Sequence, residues 1–150
     1  MEDRLTRGLI AGIIAGIVMD IYSFAVYSLN LSTLRYPDWS GIVIFNHTPP
    51  FQSWELVLAT ITQIFFTGVM GIVFTYLIPQ VTSRNFLLKG WLFGSSIWFA
   101  IDIFDTLFKV DGLGQVPFLT AVTNYIGAAI FGLVLAEVII LFTNKSRSVA

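Results

Sequence analysis

Residues 56–78 read LVLATITQIFFTGVMGIVFTYLI and carry no charge before Pro79 interrupts the run. Lipid offers no hydrogen-bond partner to an unpaired backbone, so a helix needs about 20 mostly apolar residues to cross the hydrocarbon. This run is long enough, and proline cannot continue a helix. The stretch therefore predicts a transmembrane helix, and with it an integral membrane protein.

Three further stretches of the 150-residue chain are long and apolar enough to span a membrane, although acidic residues interrupt them. Charged residues make up 11% of the chain, well below the roughly 25% typical of soluble domains. We therefore predict an all-α integral membrane protein, a four-transmembrane-helix bundle in a single domain covering residues 1–150. The predicted spans are about 8–29, 56–78, 87–108 and 117–142.

Basic residues are distributed unequally between the two ends of the predicted bundle. One side carries Arg4, Arg7, Arg84, Lys89, Lys145 and Arg147, whereas the other carries only Arg35 and Lys109. Loops rich in Lys and Arg tend to stay in the cytoplasm. This asymmetry predicts that both termini are cytoplasmic and that the long loop at 30–55 is external.

Two pairs of spans align with each other without a gap. The first span matches the third at a shift of 82 residues, and the second matches the fourth at a shift of 61. The matched positions include Gly12 with Gly94, Asp20 with Asp102, Gln63 with Asn124, and Gly71 with Gly132. This pattern predicts two tandem helical hairpins, repeat 1 at about 7–79 and repeat 2 at about 87–142, in parallel pseudo-twofold symmetry. The alternative is chance similarity between apolar segments.

Small residues recur at four-residue spacing in these spans, and residues four apart lie near one face of a helix. Such faces let helix backbones approach closely in lipid. We predict that Gly12, Gly16, Gly94, Gly71 and Gly132 pack the helices together in the bundle interior.

Four polar residues are predicted to share one layer of the membrane. Asp20 and Asp102 lie roughly 20 Å from the basic residues that precede their spans, and Gln63 and Asn124 enter from the opposite side by roughly 10 to 12 Å. Intramembrane acids usually pair, protonate or line a wet cavity. We expect a neutral carboxyl to donate a hydrogen bond to Gln63 or Asn124. Such a layer either holds the helices together, which the sequence favours, or handles protons or a cation.

Two further acids lie nearer the ends of their spans. Asp105 is one turn closer to the outside than Asp102, and we expect it to reach interfacial water; the alternative is that it extends a polar route outward. Glu137 is expected to be a half-exposed interface residue, with an inner proton station as the alternative.

The loop at 30–55 combines Trp and Tyr with prolines and few charges. Trp and Tyr favour the headgroup level of a membrane, and residues 40–45 are too few to span it. We predict an interfacial or re-entrant segment, with a binding lid as the alternative. His47, which could sense pH or bind a metal, is more typical of a solvated turn residue.

Motifs of enzymes and cofactor sites are missing from the sequence. The chain has no cysteine and one histidine, which excludes disulfides, thiolate metal sites and paired-histidine zinc sites. No phosphate-binding loop or nucleophile elbow is present. A formal charge of -1 provides no field that would recruit nucleic acid. We therefore expect neither an enzyme nor a bound cofactor, metal or nucleic acid.

Three runs, RGLIAG at 7–12, LRYPDW at 34–39 and LLKGWLFG at 87–94, resemble small conserved membrane proteins of unassigned function in Firmicutes. The resemblance covers most of the chain and implies a bacterial inner membrane, but it implies no activity. The sequence itself favours a structural or accessory subunit of a membrane complex, in contact with lipid and with a second copy or another membrane protein. The alternative is a small proton- or cation-coupled transporter or channel component.

Overall fold

A computed structural model describes residues 3–81, 84–113 and 116–147. Four of its helices are long and apolar enough to cross a membrane, which confirms the predicted four-helix membrane bundle. The helices are α1 (Arg4–Ser28), α2 (Tyr36–Phe45), α3 (Ser53–Leu77), α4 (Phe86–Phe108) and α5 (Phe118–Arg147), and a short 3-10 turn (Ile78–Gln80) extends α3. The short helix α2 is the one that does not span.

The spanning helices extend beyond the apolar runs that predict them. Helix α1 begins at Arg4 because the side chain of Asp3 accepts a hydrogen bond from the Leu5 N–H (3.1 Å) and caps the helix. At the start of α3, the Gln52 N–H donates to Glu55 (2.8 Å). Such caps satisfy backbone groups that the first turn leaves unpaired, so a helix continues into the polar interface.

The bundle is organised around α1, which packs against both α3 and α5, while α4 packs chiefly against α5. We call the end that carries the N-terminus, the α3–α4 connection and the last turn of α5 the terminal end. The opposite end, with residues 29–52, 109–113 and 116–117, is the loop end. Side chains of α1, α3 and α5 form the core between the helices, including Ala11, Ala15, Met19, Phe74, Phe131 and Leu135.

Glycines bring the backbones into contact within each hairpin. A Cβ atom at Gly12 of α1 would meet the backbone of Thr67 and Gly68 in α3, and one at Gly94 of α4 would meet the backbone of Ala128 and Gly132 in α5. The other predicted packing glycines also lie at helix contacts: Gly16 against Thr67, Gly71 against Gly8 and Gly12, and Gly132 against Gly90 and Gly94. Close backbone approach is the usual basis of helix packing in lipid.

The predicted surface loop at 30–55 contains a ten-residue helix, α2, that packs on α3. Pro37 lies in its first turn, where its fixed φ suits a helix start. Asp38 is fully buried and pairs with Arg35 (2.8 Å). Ile42 packs with Leu34 and with residues of the α4–α5 connection in a second, smaller core. Helix α2 therefore packs between α3 and the α4–α5 connection and closes the loop end of the bundle.

Candidate functional site

The first residue of α2, Tyr36, connects this helix to two spanning helices. Its N–H donates to the Ser23 hydroxyl of α1 (2.9 Å), and its own hydroxyl donates to the Asn124 carbonyl of α5. Just before α2, the Thr33 N–H donates to the Thr120 hydroxyl of α5 (3.0 Å). These bonds position the start of α2 between α1 and α5.

The Gln63 side chain of α3 is bound by α2. Ser40 donates its hydroxyl hydrogen to the Gln63 side-chain oxygen (3.0 Å). The expected hydrogen bond to Gln63 or Asn124 is wrong for Asp20, because its carboxylate oxygens have no hydrogen-bond partner among the described residues. Helix α2, which the sequence did not predict, supplies the partner of Gln63 instead. Gln63 and Asn124 are buried at the loop end, as the layer requires.

Asp20 is the most isolated polar group in the bundle. It is 5% exposed, and neither carboxylate oxygen has a hydrogen-bond partner among the described residues. Burying an unpaired ionised carboxylate is costly, so such groups usually hold a proton or bind a counter-ion. Asp20 is therefore a buried carboxyl whose charge no described residue compensates.

Two further acids of the predicted polar site, Asp102 and Asp105, lie on α4. Asp102 is half-buried and interacts electrostatically with Asp105, one helical turn away. Asp105 is buried, and one of its oxygens has no partner among the described residues. The expectation that Asp105 reaches interfacial water stays a prediction. The chain reverses direction at Lys109, whose backbone lies in the left-handed region. In this turn the Val110 N–H donates to the Asp105 carbonyl (3.3 Å).

The Tyr36 phenol lies within electrostatic reach of Asp20 and Asp102. Burial raises the pKa of this phenol, and Tyr22, Asp102 and Asp20 reinforce that direction. Tyr36 therefore stays neutral at physiological pH and keeps its hydroxyl hydrogen. Glu137 does not join this group: it is exposed on α5 and lies about 20 Å along the helix from Asn124.

A crevice of about 60 Å³ lies within the bundle and is lined mainly by α3 and α4. Its walls include Met19, Gln63, Phe66, Met70, Ile97 and Phe131. Tyr36 and Trp39 of α2 line it, and the buried Trp39 ring N–H has no partner among the described residues. Towards the terminal end, the rings of Phe74 and Phe93 lie 5.0 Å apart between the two helices. The crevice has room for a few water molecules.

His47 connects the segment after α2 to the start of α3. Its ring nitrogens lie 3.0 Å from the Thr48 carbonyl and 3.3 Å from the Glu55 carboxylate. The Thr48 carbonyl, followed by Glu55, raises the pKa of this exposed imidazole. Over the described part of the chain, no three His, Asp or Glu side chains lie close enough together to hold a metal ion.

Sequence reasoning missed the α2 residues of this site, namely Tyr36, Trp39 and Ser40. The signal for the helix was present, since Pro37 followed by Asp38 is typical of a first helical turn. No signal in the sequence shows that Tyr36 contacts Asn124 or that Ser40 contacts Gln63, because both contacts depend on how α2 docks.

Comparisons with known proteins do not extend this description. The resemblance to membrane proteins of Firmicutes stays a prediction. No family model matches the sequence, and neither a curated protein nor a solved structure matches it.

Proposed function

We propose that the chain is a proton-handling component of a small transporter or channel, with Asp20 as the main proton-binding group. The observation that carries this proposal is that Asp20 is buried at 5% exposure and has no hydrogen-bond partner among the described residues. A carboxyl that served only to hold helices together would bond to a neighbouring helix, as interhelical polar groups do. Asp20 makes no such bond, and Gln63, its expected partner, accepts from Ser40 instead.

A proton fits this site better than a metal cation does. A dehydrated metal cation requires several oxygen ligands. Neither Asp20 carboxylate oxygen has a hydrogen-bond partner in the described chain, and no group of three His, Asp or Glu side chains that could hold a metal ion is found there. A proton needs a single carboxyl oxygen, and Asp20 supplies that by itself.

The neighbouring groups favour a short polar route from the loop end. The charge of Asp102 acts on both Asp105 and the Tyr36 phenol, and the charge of Asp20 acts on the Tyr36 phenol as well. Carboxyl and hydroxyl groups in series are typical proton relays in membrane proteins. The proposed order is Asp105, Asp102, Tyr36 and Asp20, read from the loop end inward.

Proton flux into liposomes tests this proposal. The purified protein is expected to acidify vesicles under a pH gradient, and the Asp20→Asn, Asp102→Asn double variant is expected to fall to the rate of protein-free vesicles. Asparagine keeps the shape of aspartate but does not exchange a proton in this pH range. Asp111→Asn is the matched control, because Asp111 is an exposed acid at the same end, and it should keep full flux.

Two outcomes would contradict the proposal. Unchanged flux in the folded double variant would remove the aspartates from the route. Absence of flux in the parent protein, under either a pH gradient or a membrane potential, would reject proton handling and leave the second candidate function.

The second candidate is an accessory subunit that binds through α4. Among the 23 residues of α4, the buried ones are Gly90, Gly94 and Asp105. The rest of the helix presents a broad apolar face that includes Phe99, Ile103, Phe104 and Leu107. A second copy or another membrane protein would cover this face. Four helices are few for a complete transport path, so a pair of chains also suits the first candidate.

We also propose the tandem repeat and the orientation that the sequence predicts, in a bacterial inner membrane. The repeat is supported by the equivalent contacts of Gly12 and Gly94, and the orientation by the unequal distribution of basic residues. Because the chain has no cysteine, single cysteines report the orientation directly. In right-side-out vesicles, an impermeant maleimide should label Asp111→Cys but not Gln80→Cys, and the reverse pattern would invert the proposed topology.

A further inference from the structure

A groove runs along the outside of the bundle where α3 ends and α4 begins, at the terminal end. We call it the terminal groove; its volume is about 240 Å³, and its walls include Leu77, Val81, Lys89, Leu92, Phe93 and Ser96. Leu77 and Leu92 are exposed, so the groove opens sideways, towards the hydrocarbon of the membrane. The hydrocarbon of a membrane consists of lipid acyl chains, and these lie next to such an opening.

The length of the terminal groove suits an acyl chain. Lys89 and Ser96 on α4 are seven residues apart, which corresponds to about 10 Å along the helix. One leaflet of a bilayer has about 15 Å of hydrocarbon. The groove therefore extends over about two-thirds of the hydrocarbon of one leaflet, from the level of Lys89 towards the centre of the bilayer. Its deeper walls are apolar apart from Ser96.

A positive charge lies at the mouth of the terminal groove. The Lys89 ammonium donates to the Val81 carbonyl (2.6 Å), which holds it over the groove. An ammonium has three N–H donors, so two remain for a ligand. Among the described residues, no carboxylate lies within ion-pair distance of Lys89. Its charge is therefore available to an anion at the headgroup level.

Further basic residues line a neighbouring pocket that shares one wall with the terminal groove. Arg4 and Arg7 line a second pocket of about 180 Å³ at the terminal end. This pocket shares Phe74 and Ile78 with the terminal groove. Basic pockets between spanning helices bind the headgroups of anionic lipids. The two pockets together present basic residues on both sides of one apolar wall.

We propose that the terminal groove binds one acyl chain of an anionic phospholipid, with the headgroup phosphate on Lys89. The proposal joins three features of the groove: a lateral opening, an apolar floor of matching length, and an ammonium without a carboxylate partner among the described residues. It does not depend on the proposed proton function, because the groove lies at the opposite end of the bundle from Asp20.

Native mass spectrometry of the full-length protein tests the site. The protein is reconstituted into vesicles of phosphatidylglycerol and phosphatidylethanolamine in equal parts, extracted gently, and the retained lipids are counted. One basic residue near the membrane surface favours anionic lipid by about fivefold. The parent protein is therefore expected to retain one phosphatidylglycerol in about fivefold preference, and Lys89→Gln is expected to retain the two lipids equally.

Two further variants make the test specific. Ser96→Phe places a ring in the groove at an exposed position, and it should remove both lipids while the far-UV circular dichroism stays unchanged. Lys109→Gln removes a lysine at the loop end and should keep the preference of the parent protein. Equal retention of the two lipids by the parent protein, or an equal loss in Lys109→Gln and Lys89→Gln, would overturn the proposal.

Discussion

Replacing Gly12 by leucine is expected to destabilise the bundle by about 3 kcal/mol or more. The new side chain would meet the backbone of α3 at Thr67 and Gly68, and a backbone cannot move aside as a flexible side chain does. Overpacking a tight contact costs typically about 1 to 3 kcal/mol, and occasionally more. Leucine forms helices better than glycine by close to 1 kcal/mol, so a net loss reports the lost contact between α1 and α3.

The measurement is the free energy of unfolding in mixed detergent micelles. Gly94→Leu in α4 is the counterpart, because Gly94 contacts Ala128 and Gly132 as Gly12 contacts Thr67 and Gly68. Ile17→Leu is the control at an exposed position of α1 and should change the free energy by less than about 0.5 kcal/mol. A large loss for Gly12→Leu together with none for Gly94→Leu would contradict the proposed repeat.

Replacing Arg35 by methionine is expected to destabilise α2 by about 3 kcal/mol. The arginine makes two side-chain bonds to Asp38, at 2.8 and 3.1 Å, and lies over the Tyr27 ring at 4.6 Å. Asp38 has no solvent exposure. Removing one partner of a buried ion pair costs about 3 to 5 kcal/mol because the other charge stays buried and unpaired.

The loss should be local to α2. The contacts of α1 with α3 and α5 do not involve Arg35, so hydrogen exchange should rise over residues 34–46 and stay slow in the spanning helices. The double variant Arg35→Met, Asp38→Asn removes both charges but keeps a side-chain oxygen for the residue 35 N–H, which bonds Asp38 in the parent protein (2.7 Å). It should recover most of the protection, and equally fast exchange in the two variants would show that the ion pair is not the cause.

The spans were predictable because the membrane itself imposes their length and composition. A run without charges, such as 56–78, satisfies a condition that depends on local sequence alone. The predicted helices begin too late in the sequence, because Asp3 and Glu55 cap α1 and α3 outside the apolar runs. A hydropathy pattern detects the part of a helix that lies in hydrocarbon, whereas a cap lies in the interface.

The candidate site was predictable in its acids but not in their surroundings. An aspartate within an apolar run stands out in any sequence, and so Asp20, Asp102 and Asp105 were recognised. Asp20 lacks the partner that was expected for it, and Gln63 bonds instead to Ser40, on a segment predicted to be interfacial or re-entrant. Residues 36–45 are too short to carry a membrane signal, so their docking depends on contacts far apart in the chain.

The amino-acid sequence by itself determined that four apolar helices cross a membrane, and it identified the small and acidic residues on their faces. Those properties follow from local composition, because lipid penalises every unpaired backbone group and every isolated charge in the same way at each position. Only the tertiary structure decided that α2 closes the loop end, that Tyr36 bonds to both α1 and α5, and that Asp20 has no partner among the described residues. These features arise from contacts between residues distant in sequence, whose formation depends on how the helices pack.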